Sequence, residues 1–116
     1  MSIQRIQPGP HYSEAVIHND TVYLSGQIGE GDTIAEQTRS ALAYIEDLLA
    51  EAGSDKSKLL FVTIWLADIA DYDDMNAVWD AWIGGENAPA RATGESKLAS
   101  PDYKVEIIVT AALSGD

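Results

Sequence analysis

The segment Leu59-Leu60-Phe61-Val62-Thr63-Ile64-Trp65-Leu66-Ala67 constrains this chain most, because it is apolar in both strand registers. A strand alternating apolar and polar residues can leave one face in water, whereas an unbroken apolar strand needs cover on both faces. Residues 59–67 therefore read as a central strand. The run from Lys104 to Leu113 has the same character apart from Glu106 and Thr110, and reads as a second such strand. A chain of 116 residues is the size of one domain, residues 1–116, so this cover must come from few elements.

One layer of cover is visible in the periodicity. Ile34, Thr38, Ala41, Leu42, Ile45, Leu48, Leu49 and Ala52 fall on one face of a helix over about 33–52. Thr33 and Glu36 have capping-box spacing, and Gly53 sits where a helix closes. A second helix over 72–82 is marked by Tyr72, Met75, Val78, Trp79 and Trp82, with Asp71 as its expected N-cap and Gly84-Gly85 ending it. Strands 14–18 and 21–25 flank Asn19-Asp20 as a hairpin, and Ser25-Gly26 then marks a bulge or a close backbone approach. Arg91–Leu98 reads as a further strand, with an additional one near Ile3–Ile6. The expected fold is α+β, a mixed sheet of five to six strands with two helices on one face. Two helices of this length cover one face only. A neighbouring subunit is expected on the other, the alternative being a monomer whose sheet is wet on one side.

Charge narrows the partners. Nineteen acidic residues against seven basic ones give a net charge of −12, which repels nucleic acid and anionic membranes, and the basic residues form no run. Cysteine is absent, which excludes disulfides, thiolate metal sites and a cysteine nucleophile and fits a reducing compartment. Met1-Ser2-Ile3-Gln4-Arg5 lacks the apolar core of a secretory signal, and no apolar run approaches the ~18 residues of a membrane helix, so a cytoplasmic location is expected. His11 and His18 match no metal motif, and neither a phosphate loop nor a nucleophile elbow is present.

Six positions stand out as candidate carriers of chemistry. Arg91 lies in Ala88-Pro89-Ala90-Arg91-Ala92-Thr93-Gly94, where small neighbours leave room for a planar guanidinium to bind a carboxylate or phosphate. On its own it reads equally as a structural arginine that caps carbonyls or pairs with an acid. Glu106 interrupts an apolar strand, so it is either held in a cleft, where it could orient or activate water, or exposed at a strand start opposite Lys104 or Lys97. Tyr12, on the loop before the hairpin, either closes over a pocket or packs. Asn76 shares a helix side with Tyr72 and Met75, and either anchors a loop or stays solvated. Trp79 and Trp82 read as core, although one could wall a pocket.

Four segments together resemble the Rid family, also called YjgF, of reactive-intermediate deaminases. They are Val22-Tyr23-Leu24-Ser25-Gly26-Gln27-Ile28, Glu36-Gln37-Thr38-Arg39-Ser40-Ala41-Leu42, Met75-Asn76-Ala77-Val78-Trp79, and Ala88-Pro89-Ala90-Arg91 with Glu106 fifteen positions on. Each is weak alone; their order and spacing are specific. Tyr12 stands thirteen residues before Ser25, as the family's active-site tyrosine does, although His11 displaces the preceding Gly-Pro by one.

The resemblance implies a chorismate-mutase-like fold, a homotrimer with three pockets between subunits, and hydrolysis of 2-imino or enamine acids to 2-oxo acids and ammonia without cofactor or metal. It implies that Arg91 clamps the substrate carboxylate, that Glu106 holds the attacking water, and that Tyr12 orients the pocket. Ser25, Asn76 and Thr93 would line it, Thr93 standing where many members carry a reactive cysteine. A non-catalytic trimer that binds small 2-oxo acids is the competing reading. RNA cleavage is disfavoured by the charge, and chorismate mutase activity does not follow from a shared fold.

Overall fold

The structure is a computed structural model and describes residues 2–114. In chain order it runs β1 (Ile3–Pro8), β2 (Ser13–His18), β3 (Thr21–Leu24), α1 (Ile34–Ala52), β4 (Leu59–Leu66), α2 (Tyr72–Ile83), β5 (Ala90–Glu95) and β6 (Val105–Ala112). The additional strand expected near Ile3–Ile6 is β1, paired antiparallel with β2. The expected strand from Arg91 stops at Glu95. Beyond it the Ser96 N–H still reaches the Leu66 carbonyl at 2.9 Å, and the chain then leaves the sheet.

Local chemistry explains the element ends. Asn19 takes φ 58°, the left-handed conformation that asparagine tolerates, and His18 pairs with Thr21 across the turn. At the start of α1 the Thr33 hydroxyl accepts from the Glu36 N–H at 3.1 Å, and the Glu36 carboxylate accepts from the Thr33 N–H at 3.0 Å. Gly53 closes α1 at φ 88°, where a side chain would be strained. Asp71 departs from expectation: it precedes α2 but its side chain makes no capping hydrogen bond. A 3-10 turn over Ile69–Asp71 feeds directly into the helix, so the exposed N–H groups lie one turn earlier. Asp68 caps that turn by accepting from the Ala70 N–H at 2.9 Å.

The strands lie in the order β1-β2-β3-β6-β4-β5, antiparallel except for β4 and β5, which α2 connects in parallel. Residues directly opposite in a ladder share a face. Val62, Ile64 and Leu66 of β4 align with Val109, Ile107 and Val105 of β6, and all six are buried against the helix layer. Leu42, Ile45 and Leu49 of α1 and Met75 and Trp79 of α2 complete that core.

The other face is bare within one chain. Ile3, Tyr23, Phe61 and Trp65 remain 49%, 48%, 46% and 37% exposed there. The ladder slips one residue between Leu59 and Phe61, which turns Leu60 out as well. Strand β4 thus has the two apolar faces its sequence shows, but this chain covers only one of them. Among the described residues no helix is long and apolar enough to cross a membrane.

The capping box carries a pH signature. Hydrogen bonds from the backbone N–H groups of Asp32 and Thr33 hold the Glu36 carboxyl below its ordinary value of 4.5. A depressed carboxylate stabilises the fold above its unfolded value and loses that contribution as pH falls through the folded one. Thr33→Ala is expected to cost about 1 kcal/mol in urea unfolding at neutral pH. Glu36→Ala is expected to destabilise at neutral pH by an amount that shrinks toward pH 3.

Candidate functional site

Arg91 aligns with Val62 across the β4–β5 ladder, so its side chain leaves the sheet on the helix face. There the guanidinium lies over two rings of α2, 5.3 Å from the centre of Trp79 and 5.8 Å from that of Tyr72. One Nη2–H donates to the Tyr72 hydroxyl at 3.1 Å. The ring faces attract the cation without neutralising it. Among the described residues the one ion pair within 4.0 Å joins Lys56 to Glu46, at 3.9 Å, so no acid claims Arg91 even though Asp71, Asp73 and Asp74 flank Tyr72.

Two further polar groups belong to this side. Asn76 follows Tyr72 by one helical turn and precedes Trp79, on the stripe of α2 that Arg91 touches. Thr93 stands two residues beyond Arg91 on the same face of β5, level with Ile64. Asn76 Oδ1 and Thr93 Oγ1 are both buried without a hydrogen-bond partner in the chain. An unsatisfied buried oxygen costs about 1–3 kcal/mol, which a ligand or water would recover.

Glu106 lies on the other face. It stands opposite Trp65, which is level with Gly94, and its carboxylate packs against the backbone of Gly26. A Cβ at position 26 would sit 2.0 Å from Glu106 Oε2, so any side chain there would have to displace the carboxylate. Paired backbone bonds between Gln27 and Ile107, at 2.8 and 2.9 Å, clamp this segment onto the strand that carries Glu106. Ser25 donates to Glu14 Oε1 at 3.1 Å, and Gln27 Nε2 donates to the same oxygen at 3.1 Å. Tyr12 is 63% exposed and lines a cavity of about 500 Å³ that reaches Gly26, Glu14 and Tyr44.

The sequence candidates therefore form two groups. Arg91, Asn76 and Thr93 gather on the helix face beside edge strand β5, while Glu106, Ser25 and Tyr12 gather around the Gly26 segment. Arg91 is level with Val62 and Glu106 with Trp65, three residues along β4, or roughly 10 Å, and on opposite faces. Tyr72, Glu14 and Gln27 were not singled out as site residues by sequence reasoning. Tyr72 had a usable signal, its spacing to Asn76 and Trp79, whereas Glu14 shows its role only once the hairpin is folded. Of the two tryptophans, Trp79 is core and also underlies Arg91, while Trp82 donates to Glu46 beneath Lys56. Among the described residues no three His, Cys, Asp or Glu side chains cluster as metal ligands.

A family model described as endoribonuclease L-PSP matches residues 2–113. The chain belongs to the YjgF/Rid family. It is 46% identical over 114 residues to a RutC family protein of Haemophilus influenzae, covering 96% of this chain and 98% of that one. It is 33% identical over 104 residues to the 2-iminobutanoate/2-iminopropanoate deaminase of Rattus norvegicus, covering 83% of this chain and 75% of the enzyme. The crystal structure of a YjgF-family protein from Neisseria meningitidis superimposes with a TM-score of 0.98 at 46% identity, over 100% of this chain and 98% of that one. The architecture is the chorismate-mutase-like fold of Rid proteins.

In this Rid chain the contact between Gly26 and Glu106 can be tested directly. Gly26→Ala is expected to fold but to drive the Glu106 carboxylate off the segment, visible in a crystal structure of the variant. A carboxylate left in place beside the new methyl group would contradict the packing described.

Proposed function

We propose that this Rid protein is a hydrolytic deaminase of reactive 2-imino and enamine acids, acting in sites formed between the subunits of a homotrimer. The observation that carries the reading is Arg91, left without an acidic partner in a chain with nineteen acids and seven bases. A guanidinium held by aromatic rings and left without an acidic partner is suited to a bidentate carboxylate. The similarity to a 2-iminobutanoate/2-iminopropanoate deaminase supports the substrate class.

In this proposal Arg91 holds the substrate carboxylate, while Thr93 and Asn76 line the same side. Glu106 takes a proton from a water as the water oxygen bonds to C2 of the protonated imine. Glu106 then returns that proton to the carbinolamine nitrogen, and as the C2–N bond breaks and ammonia leaves, the C2 hydroxyl gives up its proton and becomes the carbonyl, so that protonated imine and water give 2-oxo acid and ammonium. Tyr12 and Ser25 shape the pocket around Glu106. An iminium carbon is already electrophilic, so anchoring and one oriented water supply most of the catalysis, and no cofactor is called for.

The two-face arrangement supports the trimer. Arg91 cannot meet the Glu106 of its own chain through the sheet, whereas a neighbour seated on the bare face could bring its own edge strand β5, with its Arg91, up to the Glu106 of this chain. Tyr23, Phe61 and Trp65 give that face an apolar surface of the kind association buries. The description of the family model names an endoribonuclease, but a −12 chain without a basic run is a poor match for a polyanion, so nucleic acid and membranes are not proposed as partners. A cytoplasmic setting belongs to the same proposal and rests on the absence of cysteine.

Arg91→Ala tests the reading with imines generated in situ from amino acids. Losing two charge-assisted hydrogen bonds, together about 3 kcal/mol, is expected to lower kcat/KM about 100-fold. Hydrolysis unchanged in Arg91→Ala would sink the proposal. A native protein that binds 2-oxobutanoate but does not accelerate hydrolysis would instead mark a metabolite-binding trimer.

A further inference from the structure

We infer that Tyr72 is a substrate-binding residue, its hydroxyl supplying a second donor to the carboxylate held by Arg91; this rests on the function proposed above. A tyrosine hydroxyl has one proton and lone pairs that accept. Here an accepting position is filled by Arg91 Nη2 at 3.1 Å, which orients the phenol and leaves its proton to donate. Among the described residues that proton has no acceptor, although Asp71, Asp73 and Asp74 are adjacent in sequence. Tyr72 is 38% exposed, so the residue is open to a ligand.

The guanidinium and the phenol therefore present N–H and O–H donors on neighbouring atoms. Two such donors match the two oxygens of one carboxylate, as in a bidentate fork. The inward side of the guanidinium is fixed by Trp79, which is 4% exposed and packed in the core, so the pair is held in place before a ligand arrives. The ligand class is a small monocarboxylate bearing a 2-imino or 2-oxo group. An ester or amide of the same acid lacks the second anionic oxygen and should gain little from Tyr72.

Tyr72→Phe keeps the ring that stacks on Arg91 and removes only the hydroxyl. In steady-state deamination and in calorimetric titration with 2-oxobutanoate, KM and Kd are each expected to rise roughly ten- to a hundredfold, the effect of one hydrogen bond to a charged group. Because the contact is made equally in ground and transition states, kcat is expected to stay within twofold. An unchanged or lowered KM and Kd would overturn the inference, the latter showing that Tyr72 competes with the ligand for Arg91. Arg91→Ala is titrated in parallel. Binding that survives in it defeats the carboxylate clamp itself, whereas binding lost there but intact in Tyr72→Phe defeats only the role of Tyr72.

Discussion

Strands β4 and β6 lie side by side, and their two-residue alternation governs the rest of the molecule. Val62, Ile64 and Leu66 turn toward α1 and α2 together with Val105, Ile107 and Val109, which builds the core. The intervening residues, among them Phe61, Trp65 and Glu106, are thereby committed to the opposite face. β5 is locked to the same phase through Val62 and Arg91, so the guanidinium must emerge on the helix side. Shifting the register by one residue would move every core side chain to the bare face, which is why the placement of the site is as firmly held as the core.

Much of this was legible in the sequence. The α1 capping box, the Asn19 turn and the apolar period of both helices are local signals, each set within a few residues, and all agree with the fold. So did the need for cover on a second sheet face, since an apolar strand carries that demand in its own composition. The faces of Arg91 and Glu106 were not legible. Their positions differ by fifteen, which says nothing until the ladder is known, and the slip between Leu59 and Phe61 changes the phase of β4 partway along. Asp71 stands at the N-cap position of α2 as its place in the sequence indicates, but the preceding 3-10 turn, capped by Asp68, leaves its side chain without a capping hydrogen bond.

Electrostatics distinguishes the candidate site from its surroundings. In a chain this acidic, a partly buried arginine would ordinarily acquire a carboxylate. Arg91 has instead two aromatic faces and a phenol, partners that hold a cation without cancelling its charge. Nearby, Asn76 Oδ1 and Thr93 Oγ1 are buried and unpaired. Glu106 is placed by a different device, the backbone of Gly26 drawn tight by the Gln27–Ile107 pair. Cation and carboxylate are thus prepared separately, on two faces of one sheet, and the proposed site between subunits is what would bring them together.

Subunit complementation tests that division most directly. Arg91→Ala and Glu106→Gln chains, each expected to be inactive alone, are unfolded, mixed in equal amounts and refolded together, with mixing verified by mass spectrometry of the intact oligomers. If each site takes its arginine from one chain and its glutamate from another, random assembly restores roughly a quarter of native deaminase activity, because each of a site's two contributors is intact in half of the cases. Mixed oligomers that remain as inactive as either parent would show that both residues of a working site come from the same chain, and would contradict a site assembled between subunits.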